Sequence, residues 1–354
     1  MRSPDPVADP TQRPRRRRLL RFLIGGLSLG LFAAVLYVGG LDAWRQLLAA
    51  DWRWVGAAFG CTALLTYVSA VRWNLIANAL AGARLCSTRA TLHYLMMGRT
   101  AGLVLPEAVA THSIGPLAMK AEGHSSFGLA FGSLLLDKLN DLCLSGLLLL
   151  PTAAFALRLI DVRVCAALFG AIFVLVGVVL WAWYRPLVAW AFRVRDGVFR
   201  WAERVSWLRR LLGTRLGQQL TALDAGRVPQ RRVALAAYGL TLLRYSLMAG
   251  RFAAVSTAIR IDVPPLLLFV GIPIAQLGLL LSVTPGALGA MEAGWLGVLL
   301  LAGLPRAEIA AFLIAQRAAI TVFILALGAL SYLGSLLFPF GQAKSERRLE
   351  TSDE

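Results

Sequence analysis

Long uncharged apolar runs dominate the chain and set its predicted elements. Phe22–Gly40, Trp54–Val71, Leu142–Leu157, Val164–Tyr184 and Ala318–Ala343 contain no charged residue. A helix needs roughly 20 apolar residues to cross a bilayer. The pattern predicts spanning helices over about 19–40, 54–81, 125–157, 164–184, 231–259 and 305–338. Shorter apolar pieces occupy 90–105, 263–284 and 287–303, and a polar-tinged stretch fills 107–124. The predicted fold class is an all-α polytopic membrane protein, with about six full transmembrane helices plus two re-entrant helical hairpins. Full crossings by both short pairs, giving about eight spans, satisfy the same parity.

Composition agrees: 58% of the 354 residues are hydrophobic and 16% are charged. The net charge of +17 would suggest nucleic acid in a soluble protein. Here the arginines gather in Arg13–Arg18 and Arg185–Arg232, both flanking apolar runs. The positive-inside rule accounts for that placement, with anionic lipid headgroups as a compatible contact. Residues 1–18 are expected to form a disordered cytoplasmic arm, 19–338 the transmembrane domain and 339–354 a polar cytoplasmic tail. The arginine- and tryptophan-rich linker 185–230 is expected to be amphipathic helix on the same side. Both termini then lie in the cytoplasm. The first apolar run is long for a signal peptide and is expected to be retained as an anchor. The four cysteines are scattered singly and the three histidines are far apart, so no metal or disulfide is expected; the cysteines are expected to be buried small apolar residues. No cofactor is expected.

The stretch "SVTPGALGAMEAG", residues 282–294, breaks an apolar helix and then places a carboxylate, Glu292. Broken backbone in hydrocarbon persists only where protein or a water-filled cavity surrounds it. Pro285 lacks an N–H, and Gly286 and Gly289 permit a tight turn. A carboxylate there can accept from a freed backbone N–H or pair with a cation. "LVLPEA" makes a similar break at Pro106, followed by Glu107.

An internal repeat links the two breaks. An offset of 179 positions carries "AVRW", 70–73, onto "AGRF", 249–252, Pro106 onto Pro285, Gly115 onto Gly294, and Lys138 onto Arg317. The repeat halves are about 54–157 and 231–338. Opposite orientation of the two halves would make this an inverted repeat of the kind transporters use, with broken helices meeting near the midplane.

Four basic residues are candidates for headgroup binding: Arg72, Lys138, Arg251 and Arg317. Lys138 and Arg317 sit near the middle of long apolar helices, where charge marks a pathway or a buried pair. Asp137 and Asp141 share a helix face at i,i+4. They either neutralise Lys138 and Arg317 or act as relay groups. Glu292 and Glu107 are candidates for charge balance or relay. Arg244, one heptad before Arg251, extends the basic set, and His112 reads as an ordinary polar residue. Pro106, Pro285, Gly286 and Gly289 are candidate hairpin gates. The basic groups outnumber the acids beside them, which favours an anionic group such as phosphate.

"RWNLIANALAG", "LVLPEA", "LLLDKLNDL", "VTPGALGAMEAGWLGVLLLAGLP" and "AQRAAITVFILALG", in that order, resemble the lysylphosphatidylglycerol synthase transmembrane region, or flippase-like domain, family. The resemblance covers about residues 20–335. It implies movement of lipids between leaflets of a bacterial inner membrane. In bifunctional members a soluble synthase domain makes the aminoacylated lipid; no such domain accompanies the resemblance here, so synthesis is not expected. The expected function is a flippase or transporter for an anionic or phosphate-bearing envelope lipid; the expected partners are membrane lipids of anionic or polyprenyl-phosphate type, with envelope-lipid biosynthesis enzymes as candidates and no nucleic acid. The alternatives are a membrane-embedded lipid-linked transferase or a non-transporting accessory protein of envelope-lipid synthesis, such as that of hopanoids or glycolipids. Against the transferase, the chain has no DxxD, no HxxxD-type metal set and no nucleophile motif.

Overall fold

The computed structural model describes residues 49–105, 107–186, 193, 230–281 and 289–337. The predicted arm, the 19–40 helix, nearly all of the 185–230 linker, the tail, Pro106, Pro285 and Gly286 lie outside the described residues. Nine helices make up the described chain: α1 (Trp52–Ala81), α2 (Thr88–Gly102), α3 (Glu107–Ala121), α4 (Phe127–Ala156), α5 (Val162–Ala182), α6 (Arg231–Ala258), α7 (Pro265–Leu281), α8 (Ala290–Leu301) and α9 (Arg306–Leu337). The protein is an all-α polytopic membrane protein.

Five helices, α1, α4, α5, α6 and α9, are long and apolar enough to cross a bilayer. At 1.5 Å per residue, the 30 residues of α1 extend about 45 Å, more than the roughly 30 Å hydrocarbon core. α2 and α3, of 15 residues each, reach only about 22 Å. α7 and α8, of 17 and 12 residues, are similarly short. Leu147, Leu150, Val174, Leu330 and Leu337 are exposed on the long helices, the outward apolar surface that lipid covers.

Local chemistry sets the boundaries. Asp51 caps α1 by accepting from the Arg53 N–H at 2.9 Å, and Gly82 ends it in the left-handed region at φ 67°. Ser126 caps α4 and Asp161 caps α5 in the same way. The stretch read as polar-tinged, 107–124, is mostly helix: α3 packs along α2. Glycines allow the approach. A Cβ on Gly98 would lie 3.2 Å from the Thr111 backbone, and one on Gly115 would lie 3.0 Å from the Tyr94 carbonyl. The cysteines are all free, but Cys143 is exposed rather than buried, because its face of α4 is turned outward.

The packing repeats with the sequence. α1 meets α2 and α4 as α6 meets α7 and α9; α2 meets α3 as α7 meets α8; α2 meets α9 as α7 meets α4. The central helices α1 and α6 run antiparallel, since Asp51 N–H bonds the Ala258 carbonyl at 2.8 Å while Arg72 reaches Thr241 near the other end. The halves are therefore inverted about the α1–α6 contact. α5 departs from the symmetry. It covers α4, α6 and α7, with Phe169 and Phe173 against Phe269 and Tyr245. The related seam between α2 and α9 instead holds a cavity of about 290 Å³, bordered by Ala63, Leu92, Met96, Leu327 and Leu330.

In the second half Trp295 of α8 is wholly buried against α7. A Cβ on Gly271 would fall 2.4 Å from its ring. Gly271→Ala is expected to destabilise the fold by about 1–3 kcal/mol, the range for overpacking a dense core. Gly146→Ala, where no atom lies within 4 Å of the added Cβ, is expected to be neutral or slightly stabilising. Thermal unfolding of the two variants in detergent checks the contrast.

Candidate functional site

Two ion-pair clusters lie inside the bundle. Arg72 on α1 is fully buried. Its Nε donates to Asp137 Oδ1 at 2.6 Å. Nη1 and Nη2 donate to the two Asp141 oxygens at 2.7 and 2.9 Å. Nη1 also donates to Thr241 Oγ1 on α6, and Nη2 to the Asp137 carbonyl. The i,i+4 spacing of the aspartates on α4 offers both carboxylates to one arginine from a neighbouring helix. Arg244 on α6 shares Asp141, at 2.7 and 2.6 Å to its two oxygens. The first cluster thus ties α1, α4 and α6 together.

The second cluster centres on Glu292, which is 2% exposed. Gly289, at φ 84°, precedes α8, and its N–H donates to Glu292 Oε2 at 2.9 Å. Arg317 on α9 donates from Nε to Oε1 at 2.6 Å and approaches the same oxygen through Nη2. The carboxylate after the break therefore has both partners such a group can use: a freed backbone N–H at a helix start and a cation on the next helix.

Between the clusters lies a cavity of about 140 Å³. It is bounded by Thr62 and Leu65 of α1, Arg99 of α2, Lys138 and Asp141 of α4, Arg244 and Arg251 of α6, Gln276 of α7, and Arg317 of α9. Among the predicted headgroup residues, Lys138, Arg251 and Arg317 line it together; Arg72 does not, because its guanidinium is consumed by Asp137 and Asp141. Those aspartates pair with Arg72 and Arg244, not with Lys138 and Arg317: Arg72 meets their shared face from α1, and Glu292 takes Arg317. Asp141 borders the cavity and Asp137 does not. Glu107 belongs to α3, and its side chain is outside the described set.

Lys138 and Arg251 differ from the other cations. Neither has a hydrogen bond or ion pair among the described residues. Arg251 is 9% exposed, its Nε is buried without a partner, and its guanidinium lies over the Phe252 ring at 4.6 Å. The repeat makes these two complementary. Arg72 is neutralised and its counterpart Arg251 is not; Arg317 is neutralised and its counterpart Lys138 is not. Each half contributes one unmatched cation to the same cavity.

Sequence reasoning missed Arg99, which donates to Thr66 Oγ1 at 2.7 Å and borders the cavity. It sits in "MMGRTAG", in the last turn of the 15-residue helix α2, so the criterion that picked Lys138, a charge at the middle of a long apolar helix, passed over it. Gln276 and Gln316 were also missed; a neutral amide gives no charge signal in an apolar run.

A membrane bundle of two inverted halves, enclosing a basic cavity at their junction, defines the class. The model of the lysylphosphatidylglycerol synthase TM region family matches residues 18–328, and the chain belongs to that family. No curated protein and no solved structure matches it.

The two kinds of cation should respond differently to neutralisation. Arg72→Met strips the counter-charge from buried carboxylates and is expected to cost about 3–5 kcal/mol. Lys138→Met removes an unmatched charge and is expected to leave stability unchanged or raise it. Unfolding midpoints of the two variants in detergent test this; an equal loss for both would contradict the assignment of Lys138 as unpaired.

Proposed function

We propose that the protein carries an anionic, phosphate-bearing envelope lipid between the leaflets of a bacterial inner membrane. The observation that carries this reading is the pair Lys138 and Arg251, two cations lining one cavity with no hydrogen bond or ion pair among the described residues. Unmatched charge in a bilayer is costly and marks a pathway for something that matches it. The family adds a lipid-related setting. A phosphate accepts from arginine through two parallel N–H bonds and from lysine as a point charge.

The short pairs α2–α3 and α7–α8 act in this reading as re-entrant hairpins. They flank the cavity from opposite repeat halves, and the inversion makes the α2–α9 and α7–α4 seams equivalent gates facing opposite leaflets. Opening one seam while the other is closed exposes the same cations to each side in turn. Glu292 holds the start of α8 to Arg317 of α9 and keeps that cation balanced whichever seam is open. Both termini lie in the cytoplasm, where the basic segments place them.

The test is leaflet accessibility of labelled lipids in proteoliposomes. Wild type is expected to move a lipid with an anionic headgroup. Lys138→Met and Arg251→Met, shown to be folded, are each expected to slow movement at least about tenfold, the scale of losing one charge-assisted contact. Unchanged rates in both variants would remove these cations from the pathway. No movement of any lipid by folded wild type would favour an accessory role in envelope-lipid synthesis instead.

A further inference from the structure

The repeat that relates Arg72 to Arg251 also relates the groups around them. Asp137 falls on Gln316, Asp141 on Ile320, and Thr241 on Thr62. The hydroxyl framework recurs closely. Thr241 donates to the Ala237 carbonyl at 2.9 Å, and Thr62 donates to the Ala58 carbonyl at 2.8 Å, on positions that are themselves repeat partners. The carboxylates do not recur. Around Arg72 there are two; at the matching positions for Arg251 there are an amide and an alkyl group.

Gln316 is 1% exposed, and neither Nε2 nor Oε1 has a partner among the described residues. Arg251 Nε, on the helix that packs against α9, is orphaned in the same way. A buried amide with both ends unsatisfied is among the costlier features a core can hold, and a leucine would avoid it. An aspartate would avoid it too, by pairing with Arg251. The chain has neither, which is intelligible if the arginine must stay available.

We propose that Gln316 is the residue that keeps Arg251 open to an anion. Its neutral amide stands where a carboxylate would lock the arginine, as Asp137 locks Arg72. Arg251 and Lys138, which line the cavity, then form a site for an ionised phosphate monoester; Gln316 stands outside the cavity lining and acts by leaving Arg251 uncommitted. The charge count selects the class. Arg99 also lines the cavity but is engaged, donating to Thr66; Lys138 and Arg251 are the two lining cations with no hydrogen bond or ion pair among the described residues, and a phosphomonoester carries two charges near neutral pH. A phosphodiester leaves one cation unmatched, and a zwitterionic headgroup leaves both. This rests on the reading of the cavity as an anion site, but not on whether the anion is moved.

The experiment uses the full chain in phosphatidylcholine nanodiscs. Its unfolding temperature is followed with no addition, with inorganic phosphate, and with part of the lipid replaced by phosphatidate. Wild type is expected to be stabilised by phosphatidate. Stabilisation by inorganic phosphate as well assigns the site to phosphate as such; stabilisation by phosphatidate alone assigns it to the lipid headgroup. Gln316→Asp is expected to raise the unfolding temperature without ligand, by pairing with Arg251, and to weaken phosphate binding about 100-fold. Gln316→Leu leaves Arg251 charged and unpaired, so it should bind phosphate as wild type does, with no such gain. A residue that only fills space would lose stability and binding together in both variants, and that result overturns the proposal. So does Gln316→Asp that misfolds, or that binds as wild type does. If Gln316→Asp behaves as expected while wild type moves no lipid, the phosphate site stands and the transport reading falls. If lipid moves normally but Gln316→Asp binds unchanged, only the role of Gln316 is lost.

Discussion

A guanidinium in hydrocarbon is costly unless opposite charge matches it, and the structure is organised around how that cost is met at Arg72. Three helices must come together to meet it. Asp137 and Asp141 arrive from α4, Thr241 arrives from α6, and the arginine itself comes from α1. Bringing these groups out of water is expensive, and their attraction returns the cost only when the geometry is good and the remaining donors are satisfied. The bidentate contact with Asp141 and the bond to the Asp137 carbonyl supply that geometry. The cluster is a register pin: sliding α4 along α1 by one turn would break every bond between Arg72 and the two aspartates.

With that pin in place, the rest of the electrostatics follows from an imperfect repeat. The inverted halves share a framework of helices, threonines and cations. They differ in where the carboxylates sit, on the first cation of one half and on the second cation of the other. If each half were fully matched, the bundle would be an inert salt-bridged core. If neither were, it would carry more buried charge than helix packing could hold. The alternation leaves each half anchored by one cluster and contributing one open cation to the shared cavity.

Much of this could be read from the chain alone. Apolar run length gave each of the five long helices to within a few residues, because a spanning helix has little freedom in composition. The interruptions between α2 and α3 and between α7 and α8 were signalled by Pro106 and Pro285, which themselves lie outside the described residues. The helix α3 was hidden: "EAVATHSIGPLAMKA" is only mildly apolar, and it is held by close contact with α2 at Gly98 and Gly115, which no local pattern reports. The partners of the charges were hidden for a related reason. Asp137 and Asp141 were visible as a pair on one face, but which cation meets that face depends on helix rotation. Lys138, adjacent in sequence, was the natural guess; Arg72, 65 positions away, is the partner. Gln316 gave no signal until its register against Asp137 could be set beside its burial.

The outer helix α5 has one more consequence. Only Cys165 and Phe169 of its 21 residues are buried, so it is a shield laid over the α4–α7 seam rather than part of the core. Among the described residues nothing comparable covers the α2–α9 seam, where Arg89, Thr66 and Ser331 join aliphatic side chains around a space of about 290 Å³. Two passages that the repeat makes equivalent are thus unequal toward the surrounding hydrocarbon. Among the described residues, one seam is covered by aromatic side chains and the other holds a crevice bordered by aliphatic, hydroxyl and guanidinium groups, so a two-fold framework carries two different surfaces.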